Sequence, residues 1–220
     1  MSLRRAGAVA LLSLCVGGLA GGGYALGLRS AAQQHPAPGP VDVGFAQAMR
    51  GHHDQAVVMS QILLGDSTSQ IAGLARSIES AQLMEIGQMK GWLLLWDKPL
   101  LPSTSSMDWM LLGRSPPDAA LSRYLIDCRN SPGGMPGLAT QDELTRLRSL
   151  KGRERDLWFL QLMIRHHQGG LPMARFAAQN AETPAVRMLA AQIESEQTQE
   201  AATMLLLAQR LAGQGAAAAR

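Results

Sequence analysis

Apolar residues recur along this chain at the three- and four-residue spacings of an amphipathic helix, in two matching stretches. Phe45, Met49, Ala56 and Met59 fall on one arc with His52 and His53, spanning roughly 120° at about 100° per residue. Phe159, Met163, Gly170 and Met173 share the same arc with His166 and His167, at one constant offset. A second block follows each copy. Ile78-Glu79-Ser80, then Gln82, Glu85 and Met89 recur as Ile193-Glu194-Ser195, then Gln197, Glu200 and Met204, one residue out of phase with the first block. The pattern is that of a duplicated helical hairpin.

The first copy predicts helices over 43–64 and 69–96, separated by Gly65-Asp66-Ser67-Thr68 and stopped by Pro99. In the second, a third helix is expected from near Lys151 and a fourth from near Pro184, which suits a first helical position after Thr183 as N-cap. The connection over 98–150 is rich in Pro, Ser and Gly. It predicts short helices at 116–127 and after Thr140, where Thr140 and Glu143 have capping-box spacing. No strand is expected. The reading is an all-α four-helix bundle, residues 41–211, made of hairpins 41–97 and 151–211 and a long crossover, with a frayed tail over 212–220.

Ahead of the bundle, residues 6–28 carry no charge and are long enough to cross a hydrocarbon core of about 30 Å. Arg4 and Arg5 precede the stretch, which places the N-terminus in the cytoplasm and everything after Arg29 outside. Residues 1–29 are therefore read as a signal or transmembrane anchor and 30–40 as a Pro-rich tether. A cleaved signal peptide, giving a secreted protein, is the alternative; no clean small-x-small cleavage site favours it. Leu14 before Cys15 argues against a lipidation signal. The pairs Gly17/Gly21, Gly18/Gly22 and Gly23/Gly27 allow a homodimer through the membrane segment.

Charge narrows the partners. The net charge is +3, but Arg4, Arg5 and Arg29 account for three of the 20 basic residues, leaving 17 against 17 acidic. A neutral body lacks the footprint of a nucleic-acid binder. Only 4% of residues are aromatic while 12 are Met, so the interior is expected to be Leu, Ala and Met packed helix on helix.

The chemistry sits on the core faces. Four of the five histidines lie in the two pairs, and a buried imidazole or carboxylate without a partner is costly. A transition metal would supply the partner. His52, His53, His166 and His167 with the thioethers of Met49, Met59, Met163 and Met173 suit copper, as Cu(I) or Cu(II), ahead of other transition metals. Glu79, Glu85, Glu194 and Glu200 would complete the coordination sphere or orient the imidazoles. For each methionine alone, an ordinary core position is the competing reading. Pro172, after Gly169-Gly170, predicts either a kink beside the histidine pair or a helix break. Cys128 has no neighbouring Cys or His to make it a ligand or nucleophile.

These residues resemble a known family. His52-His53 with Met49 and Met59, the run from Met163 through His166-His167-Gln168-Gly169-Gly170-Leu171-Pro172-Met173 to Ala174, and the turn Gly134-Met135-Pro136-Gly137 are similar to the signatures of the domain of unknown function 305. The resemblance covers 41–211. It implies an exported ferritin-like bundle, with some relatives linked to copper binding and tolerance, and no established reaction. The connection here keeps only Met107, Met110 and Met135 and no histidine, which speaks against a high-capacity copper store.

The function expected is extracytoplasmic metal binding, as buffer, trafficking protein or tolerance factor. A ferritin-like metal-dependent oxidase is the alternative of another class. It generally needs two Glu-x-x-His pairs, whereas Glu79 and Glu194 are followed three residues on by Gln82 and Gln197. A metal-free membrane-tethered scaffold is the third.

Overall fold

A computed structural model describes residues 21–24, 26–27, 37–104 and 106–218. The chain divides into two compact units, residues 1–37 and 38–220. Most of the expected membrane segment, with Gly17 and Gly18 of its glycine pairs, and most of the tether lie outside the described residues. Among the described residues no helix is long and apolar enough to cross a membrane.

The second unit is all-helical, without strands among the described residues. Four long helices, α1 (Pro40–Leu64), α2 (Ala72–Leu95), α5 (Gly152–Asn180) and α6 (Pro184–Ala218), are joined by a connection holding α3 (Ala119–Asn130) and α4 (Gln141–Ser149). Element boundaries fall where local chemistry puts them. Asp118 caps α3 by accepting from the Leu121 N–H at 2.8 Å. At α4 both arms of the capping box are made: Thr140 Oγ1 accepts from Glu143 N at 3.2 Å, and Glu143 Oε2 from Thr140 N at 2.8 Å. Helix α5 runs unbroken through Pro172, so the helix-break reading of that proline is corrected. Helix α6 runs on to Ala218, past the start of the expected frayed tail.

Each hairpin packs on itself, α1 on α2 and α5 on α6, and the hairpins meet through α1 and α5. These two run antiparallel, since the start of α1 meets the end of α5 and Arg155, near the start of α5, donates to the Ile62 carbonyl near the end of α1. Two aspartates lock the arrangement, standing at the repeat's own offset. Asp42 on α1 accepts from the Glu182 and Thr183 N–H groups at 3.1 and 2.9 Å, between α5 and α6. Asp156 on α5 accepts from Ser69 Oγ and Gln70 N at 2.7 and 2.8 Å, between α1 and α2.

Apolar burial divides into two clusters, each drawn from both hairpins. One holds Phe45, Met49, Met89, Met173, Phe176 and Ile193. The other holds Met59, Ile78, Phe159, Met163 and Met204. The repeat exchanges them: Met49 of the first cluster corresponds to Met163 of the second, and Met173 to Met59. The histidines belong to neither.

The connection is pinned across α1 by polar side chains. Gln47 Nε2 donates to the Pro99 carbonyl at 2.7 Å and Arg50 Nε to that of Leu100 at 3.2 Å. The Gln55 amide pairs with the backbone of Ala139 in both directions, at 2.9 and 2.6 Å.

Candidate metal centre

Helices α1 and α5 carry the histidine pairs to the seam between the hairpins. All four imidazoles are fully buried. The rings of His52 and His166 lie against each other, centroids 3.8 Å apart and planes 31° apart. His53 stands 6.5 Å from His52, and His167 stands 6.1 Å from His166, centroid to centroid.

Partner chemistry assigns the ring protons. His166 Nε2 lies 2.9 Å from the His52 carbonyl oxygen, which only accepts, so Nε2 carries the proton. His53 Nε2 lies 2.7 Å from Glu85 Oε2 and His167 Nε2 lies 2.6 Å from Glu200 Oε2. A carboxylate likewise accepts. Nδ1 is then the ring nitrogen left over, and all three Nδ1 atoms are buried without a hydrogen-bond partner. This is how a protein prepares imidazole for a metal, with an oxygen acceptor fixing tautomer and orientation from behind.

His52 departs from the pattern, since neither of its ring nitrogens has a partner. Burial, then the nearby His53 and His167, lower its pKa from 6.5 to about 3, and the Pro136 carbonyl opposes the shift without a well-aligned hydrogen bond. His166 is also lowered well below its ordinary value, first by burial and then by His52 and His167. Both rings are neutral at ordinary pH, so no proton competes with a metal for their lone pairs.

The turn Gly134-Met135-Pro136-Gly137 sits directly on this part of α5. A Cβ on Gly169 would collide with the Pro136 carbonyl, and one on Gly137 would lie 2.5 Å from the Arg165 carbonyl oxygen. Gly137 also holds φ at +88°, a left-handed conformation that side chains disfavour. Tyr124 on α3 donates to the Gly169 carbonyl at 3.0 Å. Arg165 makes two contacts with Glu143, at 2.7 and 2.6 Å, which hold the Glu143 carboxyl down at about 2.

The structure thus brings together the four histidines with Glu85 and Glu200. Glu194 instead pairs with Arg175 at 2.8 Å on the surface, and Glu79 is half-buried with no hydrogen bond described. Met49 and Met173 fall in one apolar cluster, Met59 and Met163 in the other. Among the described residues no three His, Cys, Asp or Glu side chains already enclose a metal position. Gln82 and Gln197, passed over among the candidate ligands, are buried at 2% and 3% exposure with both amide atoms unpartnered. Their signal was present in the repeat, but a neutral amide carries no ligand signature on its own.

Residues 42–208 match the family described as Domain of unknown function (DUF305). This chain belongs to the DUF305 family. A family member from Streptomyces coelicolor, inferred to be secreted, is similar at 34% identity and TM-score 0.64, covering 77% of this chain and 93% of its own. A DUF305 fragment from Deinococcus radiodurans is similar at 28% identity and TM-score 0.60, covering 80% and 99%. CopM, solved in Cu(I)-bound and Cu(II)-bound forms, is similar at 25% identity with TM-scores of 0.53 and 0.56, covering 77% of this DUF305 chain and 96% of its own. No curated protein matches the chain.

Proposed function

We propose that this DUF305 protein binds a transition metal, copper foremost, outside the cytoplasm, and serves in metal buffering, trafficking or tolerance. One observation carries the reading: three buried imidazoles anchored through Nε2, their Nδ1 atoms unpartnered at the seam of the two hairpins. Such groups are costly to leave bare, and a metal ion satisfies them. The copper-bound forms of CopM support the choice of metal. The uncharged segment 6–28 and the likeness to a relative inferred to be secreted support the location. The four long helices, related by the repeat, are read as a ferritin-like bundle of duplicated hairpins. Glu85 and Glu200 orient His53 and His167 from behind.

Isothermal titration of the full-length chain with Cu(I) and with Cu(II) tests this, beside a variant carrying Ala at 52, 53, 166 and 167. Binding by the parent and its loss in the folded variant is the expected result. Equal affinity in both proteins ends the reading.

A further inference from the structure

Along the arc shared by Phe45, Met49, His52, His53, residue 56 and Met59, the two copies differ at one position. Ala56 in the first copy is fully buried, and its counterpart in the second is Gly170. A Cβ at Gly170 would lie 3.0 Å from His52 Cε1, 3.4 Å from His52 Nδ1 and 3.3 Å from Gln197 Oε1. The missing methyl lets two groups that have no hydrogen-bond partner, the His52 imidazole and the Gln197 amide, close together on the α5 backbone. His52 is fully buried and Gln197 is 3% exposed. His52 is also the one histidine of the four whose Nε2 is not anchored to an oxygen acceptor, so it can turn either nitrogen toward an ion.

We infer that the bound ion is seated off the pseudo-twofold, where the unpartnered His52 and Gln197 converge beside Gly170, with His52 and Gln197 Oε1 among its ligands and one ion per chain. The inference rests on the metal-binding reading above. Ala56 carries the methyl that Gly170 lacks, which denies the first copy an equivalent seat. An imidazole nitrogen with an amide oxygen is a harder set than imidazole with thioether, and the four methionines of the duplicated arcs lie in the apolar clusters. The seat therefore favours Cu(II) over Cu(I).

The full-length protein is titrated with Cu(II), reading stoichiometry calorimetrically and ligand geometry by electron paramagnetic resonance. The parent is expected to bind one ion per chain. Gly170→Ala and Gln197→Leu are each expected to weaken binding by roughly 10- to 100-fold, the range for removing a group that supports a metal site, and to change the Cu(II) spectrum. Gln197→Glu, which keeps an oxygen at the position, retains binding. Ala56→Gly and Gln82→Leu leave affinity and spectrum as in the parent. Gln197→Leu removes an unpaired amide and stays folded, so the test survives a failure of Gly170→Ala to fold. Unchanged binding and spectra in Gly170→Ala and Gln197→Leu would overturn the seat while leaving the metal-binding reading intact. Two ions per chain, or equal losses in Gln82→Leu and Gln197→Leu, would overturn it as well. A parent that binds neither Cu(I) nor Cu(II) removes both readings.

Discussion

Asp42 and Asp156 occupy equivalent places in the two copies, and each carboxylate closes the turn of the hairpin to which it does not belong. Both are fully buried, so removing either takes away the acceptor for the turn donors of the other hairpin. Asp42→Ala and Asp156→Ala are each expected to destabilise the fold by about 2–3 kcal/mol. They lie at opposite ends of the α1–α5 seam, so the double variant should show the sum within about 0.5 kcal/mol. Urea unfolding followed by circular dichroism measures both, and losses well under 1 kcal/mol would show that the ties are dispensable.

Acid should weaken the metal-free protein in a window set by histidine. The His52 pKa falls from 6.5 unfolded to about 3 folded, and His166 shifts the same way. Between those values the unfolded chain takes up protons that the native one refuses, so stability falls as pH drops from about 6.5 towards 3. Glu143, lowered from 4.5 to about 2, contributes its own loss only below 4.5. The decline between pH 6.5 and 4.5 therefore reports the imidazoles. Urea midpoints across this interval should fall in the parent and flatten in His166→Gln; parallel slopes would contradict the assignment of neutral buried rings.

Arg165 and Glu143 form a two-point contact, partly open to solvent. Replacing Arg165 by Met is expected to raise the Glu143 pKa from about 2 towards 4.5. The accompanying loss of stability should stay under about 1 kcal/mol, as for exposed pairs. Carboxyl chemical shifts followed against pH by NMR read the first quantity directly.

Glu85 and Glu200 hold the imidazoles of His53 and His167 at 2.7 and 2.6 Å. If these are orienting partners of metal ligands, Glu85→Ala and Glu200→Ala should each lower copper affinity by roughly 10- to 100-fold. Glu194→Ala, whose parent carboxylate pairs with Arg175 at the surface, should leave affinity unchanged. Equal effects in all three would return Glu194 to the site.

Much of the fold was legible because it is written locally. The capping box of Thr140 and Glu143, the proline at the head of α6 and the repeated arcs each specify an element from its own residues. What was not legible depends on contacts between distant segments. Asp42 and Asp156 match at the repeat offset, yet their task becomes visible only when each meets the other hairpin's turn. Glu79 and Glu85 looked alike as stripe residues. Six positions apart on a helix, they point about 120° away from each other, and only Glu85 reaches a histidine. Gln82 lies between them in angle and is buried, where a chemistry-first reading looked for charge rather than an amide.

The exchange of apolar clusters bears on how the chain acquires its structure. Neither hairpin contains a finished interior, because each cluster needs side chains from both, and neither turn is closed without an aspartate from the other copy. A polypeptide holding one hairpin would thus be self-complementary, and two such molecules could rebuild the seam without the crossover. During synthesis the first hairpin leaves the ribosome long before its complement, and it waits with half an interior exposed until α5 arrives.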